Sequence, residues 1–318
     1  MAAKRGTDEV RYGVELTHLD QELFDGAGAT KRDLVDHLDA VAGRILPELA
    51  GRPLSVVRAR PGQRPFMQKN LPAHAPDWIP TVAAWAQASQ REVHYALAEE
   101  PRTLLWFANQ RAVEYHPTLV RHGARHADRL VLDLDPPEGA PFADVVRAAR
   151  LVEAALADAG LTGAVKTSGA KGLHVVVPVA PLPVEDAAAA TRALAARAER
   201  VDPAAGTTAY IREDREGKVF LDSTRAGGAT LVAAYSPRAR PGLPVSFPVA
   251  WAHLDDVAPA EFTVRTAAGL LAGTDPWRAA LPAPQALPAD LLEEGHAIPV
   301  ARVAAMHEGR RRARARRA

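Results

Sequence analysis

The sequence predicts an α/β protein, an α+β arrangement around a mixed sheet, and three stretches lead there. Leu130-Val-Leu-Asp133-Leu-Asp135 is an apolar run that stops at two carboxylates and two prolines, Pro136 and Pro137. A buried strand that delivers acids to its C-terminal end has this pattern. Residues 165–178 hold a glycine-rich turn, Ser168-Gly-Ala-Lys-Gly172, that enters a second apolar run. Between the two, residues 142–161 place Val145, Ala149, Val152 and Leu156 at helical spacing. Strand, helix and strand in that order predict a βαβ unit with a right-handed crossover joining the two key strands.

The remaining elements follow in chain order. Residues 1–13 form an expected flexible arm, with one strand near its end. Thr30 caps a helix running to Leu49, with Asp33 at the capping-box position and Leu34, Leu38, Val41 and Ile45 on one face. Gly51-Arg52-Pro53 ends it. Leu54 to Arg60 is a strand, turned at Pro61-Gly62. Phe66-Met67-Gln68-Lys69-Asn70, with Arg58, Arg60 and Arg64 nearby, suits a nucleic-acid backbone and a stacked base, or else a polar hairpin with one buried aromatic. Residues 102–117 start as a helix and finish in a strand carrying His116. His122 and His126 fit a solvated loop better than a zinc pair, because nothing supplies thiolates. Residues 185–201 form an alanine-rich helix. Val219-Phe-Leu-Asp222 is a third apolar strand ending in a carboxylate, preceded by Arg212 and Arg215. Arg238 and Arg240 stand two apart on a proline-rich segment, so both face one way if it is extended, which suits a triphosphate. Residues 244–251 and a helix after Ala267 serve as scaffold, and proline-rich 281–288 precedes a last short helix.

Composition narrows the class. At 318 residues the chain holds one large or two modest domains. With 47% hydrophobic and 5% aromatic residues it belongs with globular rather than disordered chains. It has no cysteine, which excludes disulfides and thiolate metal sites and suits a reducing cytoplasm, the expected location. No apolar run approaches a membrane span, and the polar start is no secretory signal, so no membrane partner is expected. The formal charge of +1 hides an asymmetry. Six arginines lie between Arg310 and Arg317, which leaves residues 1–309 with 33 basic against 38 acidic residues, a net −5. The body is thus no general polyanion binder, and a polyanion must be held by local patches, by metal or by the basic tail, 301–318. The tail itself fits a solubilising end equally well.

The chemistry lies in the three opening stretches. Asp133 and Asp135 alternate along a strand, so they share a face about 6.5 to 7 Å apart. Such acids repel unless a cation lies between them, and Asp222 offers a third ligand. Backbone N–H groups of the glycine turn, with Ser168, Lys171 and His174, form a cradle for an anion. Acids for a metal beside a phosphate cradle point to nucleotide chemistry.

At this point the motifs resemble a known family. Asp133-Leu-Asp135-Pro, Thr167-Ser168-Gly-Ala-Lys171-Gly-Leu-His174 and Val219-Phe-Leu-Asp222 are similar, in order, to the three motifs of the polymerase domain of bacterial ligase D enzymes, in the archaeo-eukaryotic primase superfamily. Gly51-Arg52-Pro53, Gln68-Lys69-Asn70-Leu-Pro, Ala75-Pro76-Asp77-Trp78, Val113-Glu114-Tyr115-His116-Pro117 and Tyr235-Ser-Pro-Arg238-Ala-Arg240 are similar too. The likeness spans roughly residues 14–271. It implies a primase-polymerase core with an N-terminal subdomain: a domain over 14–300, divided into a nucleic-acid-binding part (14–100), a catalytic core (101–275) and a C-terminal helix region (276–300). It also implies a nucleotidyltransferase that adds NTPs or dNTPs to a primer 3′-hydroxyl in DNA repair, gap filling or end joining.

By this resemblance Asp133, Asp135 and Asp222 hold two divalent cations, Mn2+ or Mg2+, in a two-metal arrangement. Hard carboxylate oxygens suit those ions rather than zinc. Ser168, Lys171, His174, Arg238 and Arg240 hold the triphosphate, with His116 near the sugar or phosphates. Lys31, Arg58, Phe66, Lys69 and Arg215 meet nucleic acid. The implied partners are DNA as primer–template, gap or end, an NTP or dNTP, and a separate ligase and end-binding protein, since no ligase or nuclease module fits in the chain. Three departures from the family pattern stand out. His18, Gln21 and Val57 replace residues of a pocket for a downstream 5′-phosphate and leave Lys31. Ser223-Thr224-Arg225-Ala226 replaces a third-motif continuation with an amide. Phe66-Met67 replaces an aromatic pair. The rival readings are a primase that starts chains de novo, a non-catalytic DNA-end-binding scaffold, and a metal-dependent nuclease.

Overall fold

Two larger sheets lie in the two halves of the chain, and the acids lie on inner strands of the second. The computed structural model describes residues 8–86, 90–226 and 229–300; the start of the arm and the arginine-rich tail lie outside the described residues. The first half runs β1 (Glu9–Arg11), β2 (Val14–Leu16), α1 (Lys31–Ala40), α2 (Ala42–Leu49), β3 (Leu54–Arg60), β4 (Gln63–Gln68), β5 (Thr81–Ala86), β6 (Arg91–Ala96), α3 (Pro101–Asn109) and β7 (Ala112–Pro117). The second half adds β8 (His126–Asp135), α4 (Phe142–Asp158), β9 (Ala164–Thr167), β10 (Leu173–Pro183), α5 (Val184–Val201), β11 (Gly206–Thr207), β12 (Val219–Asp222), β13 (Pro248–Val249), α6 (Ala267–Leu271), α7 (Pro276–Ala280) and α8 (Ala289–Ala297). No helix among the described residues is long and apolar enough to cross a membrane.

The capping box forms as expected: the Thr30 side chain accepts from the Asp33 amide, and Asp33 accepts from the Thr30 amide. The helix does not run on to Leu49, however. It breaks at Val41 (φ −100°, ψ 3°), and α2 follows with Pro47 inside it. The break leaves the apolar face intact, since Leu34, Leu38, Val41 and Ile45 are all fully buried. At the N-terminus β1 and β2 form a small antiparallel hairpin rather than one strand in a loose arm. The hairpin of β5 and β6 has no counterpart among the sequence expectations, because the alanines at 83, 84 and 86 hide its alternation.

The six-stranded sheet has the order β11-β12-β8-β10-β9-β13. Here the expected βαβ unit needs correction. The strand after the glycine turn, β10, pairs antiparallel with both β8 and β9. The strand parallel to β8 is therefore β9, and the two are separated by β10, which folds back between them. The glycine turn is what makes this possible. It reverses the chain within five residues, so β10 returns along β9 instead of arriving from α4.

Alternation decides what each face of this sheet meets. Leu130, Leu132 and Leu134 of β8, with Val165, Leu173, Val175 and Val177, pack with Val145, Val152 and Leu156 of α4 and with α5. The in-between residues Val131, Ala164 and Val176 belong to a different core, shared with α1, α2, α3, β3 and β7. A sheet covered on both faces explains the near-continuous apolar runs of the sequence.

The second sheet has the order β4-β3-β6-β5, with β7 also on β3, so it reaches beyond residue 100 in the chain. Arg52, just ahead of β3, ties it to the other half. Its guanidinium is 1% exposed, donates to the Leu119 carbonyl and lies 2.7 Å from Asp128 Oδ1 on β8. Burial pushes the Asp128 carboxyl up, but Arg52 and Arg129 outweigh it and hold it below its ordinary value. Arg52→Met, which keeps the volume and removes the charge, is expected to lower unfolding free energy by about 2 to 4 kcal/mol in urea titrations, the usual result of breaking a largely buried pair. A loss under about 0.5 kcal/mol, within the range of ordinary surface changes, would show that the tie carries no stability.

Candidate active site

Strand register, more than any single motif, assembles the site. On β8, Asp133 lies opposite His174 of β10 on one side and Asp222 of β12 on the other. His174 in turn lies opposite Lys166 of β9. Lys166, His174, Asp133 and Asp222 thus form one row across four strands, on the face away from α4 and α5. Directly opposed residues have Cβ atoms about 4.5 to 5.5 Å apart, so neighbours in the row touch.

The contacts bear this out. Lys166 Nζ is 2.8 Å from His174 Nδ1, and His174 Nε2 is 3.4 Å from Asp133 Oδ1. The other Asp133 oxygen is 2.7 Å from Arg225, whose Nε is 3.3 Å from Asp222 Oδ2. Asp222 also accepts from the Thr224 amide and hydroxyl. Burial pushes the Asp133 carboxyl up, but His174 and Arg225 outweigh it and hold it well below the usual carboxylate range. Burial likewise draws His174 well below its ordinary value and brings Lys166 down to about 7. Asp135, one step along the strand end, is 49% exposed, with Lys171 and Arg215 each 3.8 Å away. Arg215, expected at nucleic acid, therefore stands at the acids, its guanidinium stacked on Phe220 at 3.7 Å.

The glycine turn lies beside this row. Ser168 is buried, and its hydroxyl accepts from the amides of Ala170 and Gly172, so it shapes the turn. Gly172 is required by close approach: a Cβ there would sit 2.1 Å from the Leu134 carbonyl oxygen. Gly169 has φ +65°, and a Cβ on it would meet the Arg238 side chain at 2.7 Å. Arg238 and Arg240 do not share one direction, because the chain turns there: the Arg240 amide donates to the Arg238 carbonyl. Arg238 packs inward, donating to the Ser168 carbonyl at 2.6 Å, and its Nε lies 3.0 Å from Glu114. Arg240 is exposed and lines a cleft of about 630 Å³ with Gly169, Ala170, Lys171 and Phe142. His116 Nε2 is 2.7 Å from Glu114, which also accepts from the Ala239 amide. Burial would push Glu114 up, yet these partners hold it well below the ordinary carboxylate value.

A second basic cleft, of about 650 Å³, is lined by Lys31, Arg58, Arg60 and Arg111 together with His18 and Gln21. Burial, then Arg111, brings the Lys31 ammonium down to about 8. Burial, then Arg60, brings Arg58 down to about 10. Three arginines thus bring back much of the positive charge missing at positions 18, 21 and 57. Phe66, on the exposed edge strand β4, is 42% exposed with the Arg58 guanidinium 6.0 Å from its ring centre. Lys69 is exposed just beyond the end of β4.

Sequence reasoning gave no role to Lys166, Arg225 or Glu114. Each left a trace: a lysine inside an apolar strand, an arginine three residues after a candidate metal ligand, a glutamate alternating with His116. None of these is readable without the register that brings it to the row or to Arg238.

A family model described as the LigD primase-polymerase domain matches residues 30–277. The multifunctional non-homologous end joining DNA repair protein LigD of Mycobacterium tuberculosis (strain H37Rv) is 37% identical over 258 residues, 77% of this chain and 34% of the relative. The bifunctional non-homologous end joining protein LigD of Bacillus subtilis is 31% identical over 268 residues, 82% of this chain and 43% of the relative. The chain spans about a third of the length of the mycobacterial relative. Among solved structures, the polymerase domain of Mycobacterium tuberculosis ligase D in complex with DNA matches with a TM-score of 0.76 and 34% identity, covering 82% of this chain and 95% of that one.

The close approach at Gly172 gives a direct check on the turn. Gly172→Ala is expected to force the 168–172 turn off the end of β8 and to cost about 2 kcal/mol or more of stability, as overpacking against backbone does. Gly43→Ala, in open space and, like Gly172, without a positive φ, is the control for the added methyl alone. Equal melting shifts for the two would mean that the contact with Leu134 is not what constrains the turn.

Proposed function

The chain belongs to the LigD primase-polymerase domain family, and from that premise we propose that it transfers a nucleoside monophosphate from an NTP or dNTP to a DNA primer 3′-hydroxyl, in end repair or gap filling. In this reaction the 3′ oxygen attacks the α-phosphorus and the bond to the pyrophosphate oxygen breaks. The observation that carries the reading is the row that sets Asp133 and Asp222 face to face at the strand ends, with Asp135 beside them and the glycine turn adjoining.

The donor set fits a hard divalent cation, Mg2+ or Mn2+: three carboxylates lie near one sheet end and the chain has no cysteine. Among the described residues no ready cage of three such ligands exists, and Arg225 spans Asp133 and Asp222 as their counter-charge. When bound, divalent ions would supply charge to activate the 3′-hydroxyl and to stabilise the departing pyrophosphate. The chain's own groups do the positioning. Lys171 and Arg240 face the cleft beside the turn, where a triphosphate would meet two cations beside the backbone of Gly169 and Ala170. Arg238 and His116, both tied to Glu114, present a fixed edge for the sugar and phosphates. His174 offers a donor next to Asp133. Preorganised charge of this kind, with little covalent work by the protein, suits phosphoryl transfer.

The second basic cleft supports the end-joining side of the reading. Its four cations repel one another, and a 5′-phosphate on the downstream DNA end would relieve that repulsion. A ligase activity and an end-binding protein would act on the same ends.

Two results test the proposal. Primer extension with Mn2+ or Mg2+ is expected from the wild type and reduced about a thousandfold or more in Asp133→Ala/Asp135→Ala, as expected when such electrostatic groups are removed. Full extension by the double variant, or none by the wild type on DNA that it binds, would reject it. Affinity for a 5′-phosphorylated end over the 5′-hydroxyl end is expected to fall by about tenfold as pH rises through about 8 and Lys31 loses its proton, the size of one charge-assisted hydrogen bond. Stability should move the other way. The folded pKa of Lys31 lies below its ordinary 10.5, so the unfolded chain binds more protons between the two values, and Lys31's contribution to stability rises with pH there. A phosphate preference that is flat from pH 7 to 9.5, or unaltered in Lys31→Met, would remove Lys31 from the cleft's function.

A further inference from the structure

We propose that a small monovalent anion of the halide class, such as chloride, binds in a buried cavity between the two halves of the chain, where it accepts from the Arg52 Nε–H and the Trp277 indole N–H. The wall of this cavity shares no residue with either basic cleft, and the inference does not rest on the polymerase reading.

The cavity measures about 20 Å³, above the roughly 10 to 15 Å³ that one water needs. Glu48 of α2, Arg52, Arg129 of β8, Lys166 of β9 and Trp277 of α7 stand in its wall, so elements of both halves enclose it. Arg52 is 1% exposed and Trp277 3%. Each has a side-chain N–H with no hydrogen-bond partner among the described residues, Nε of Arg52 and Nε1 of Trp277. A buried donor left unmet is costly, and both of these are donors. An acceptor is what the wall lacks.

Charge separates an anion from a water here. Three largely buried cations, Arg52, Arg129 and Lys166, stand at this junction with two carboxylates, Glu48 and Asp128. The carboxylates satisfy Arg129: burial draws its guanidinium down, but Glu48 at 2.9 Å and Asp128 at 3.2 Å outweigh it. They do not satisfy Arg52, which burial first and then Arg129 hold below its ordinary value in spite of Asp128. Lys166 is 1% exposed, and its hydrogen-bond partners are the Val232 carbonyl, Ser246 Oγ and His174 Nδ1. None of the three is a carboxylate. The junction is thus one negative charge short, and a buried cation without its counter-charge is strongly unfavourable. A monatomic anion supplies that charge and only accepts. A water in the same place brings two protons of its own and no charge, and an oxyanion is too large for a space little bigger than a water. Such an ion would bridge Arg52 of the first half and Trp277 of the second, beside the tie from Arg52 to Asp128.

The test uses the full chain. Crystals grown with bromide in place of chloride are expected to show, at the bromine absorption edge, an anomalous peak in this cavity within hydrogen-bonding reach of Arg52 Nε and Trp277 Nε1. In solution Tm is expected to be about 2 °C or more higher in chloride or bromide than in gluconate at equal ionic strength, as a ligand several-fold above its Kd predicts. Gluconate is too large to enter. Trp277→Phe keeps most of the ring and removes the N–H, so in that variant the gap between the salts is expected to close, whatever its own stability. Bromide absent from the cavity, or a water alone there, would overturn the proposal even if Trp277→Phe fails to fold. So would equal Tm in chloride and gluconate, since a bromide peak without that difference marks an adventitious ion only. A gap between the salts that Trp277→Phe leaves unchanged is a general salt effect, and it would overturn the proposal too.

Discussion

A carboxylate buried in the middle of a sheet needs a cation or a hydrogen-bond donor within reach, and Asp133 has a partner on each side: His174 on one neighbouring strand and the Arg225 guanidinium just beyond the other. Desolvation of a lone carboxylate would push it toward the neutral form, and here the flanking donors reverse that. Much else follows. β8 and β12 must align so that Asp222 faces Asp133, β10 must fold back beside β8 so that His174 does, and the turn must be tight enough for β10 to start there. The glycine at 172 is part of the same requirement, because its missing Cβ lets the turn lie on the Leu134 carbonyl. One electrostatic need thus links a strand register, a turn and an amino-acid choice.

The halves of the chain meet through buried charged groups as well as apolar contact. Arg52 reaches from the end of α2 to β8, and Glu114 on β7 gathers His116, Arg238 and the Ala239 amide. These links run between the helices and small sheet of the first half and the site-bearing sheet and loops of the second. A buried pair of this kind contributes less to net stability than to a single relative placement, since half a pair is much worse than a whole one. For a site built from both halves, fixed placement matters: Arg238 lies against the glycine turn while Glu114 holds its Nε.

The acids and the glycine turn were legible because their chemistry is written in short, local patterns, whereas the turn that parts Arg238 from Arg240 was not. Two apolar runs ending in carboxylates have few other uses, and glycines around Ser168 and Lys171 have an evident backbone reason. The split strand order was not legible. A helix between two apolar runs fits a simple crossover, and nothing local says that the short stretch 164–167 is itself a strand and the true parallel partner of β8. The full charge of the second cleft was not legible for a related reason. Lys31, Arg58, Arg60 and Arg111 come from α1, β3 and the residue after α3, and only folding gathers them.

By itself the sequence determined the alternation that buries one side of each strand, the cap of α1, the tight turn at 168–172 and the three acids at strand ends, because each depends on residues within a few positions of one another. The tertiary structure decided which residues share a row. Lys166, an unremarked lysine within an apolar stretch, becomes a neighbour of His174 because antiparallel pairing sets them opposite, and Arg225 becomes the counter-charge of Asp133 because β12 pairs beside β8. Register is a property of pairs of strands, and a one-residue slip would turn each of these side chains to the other face.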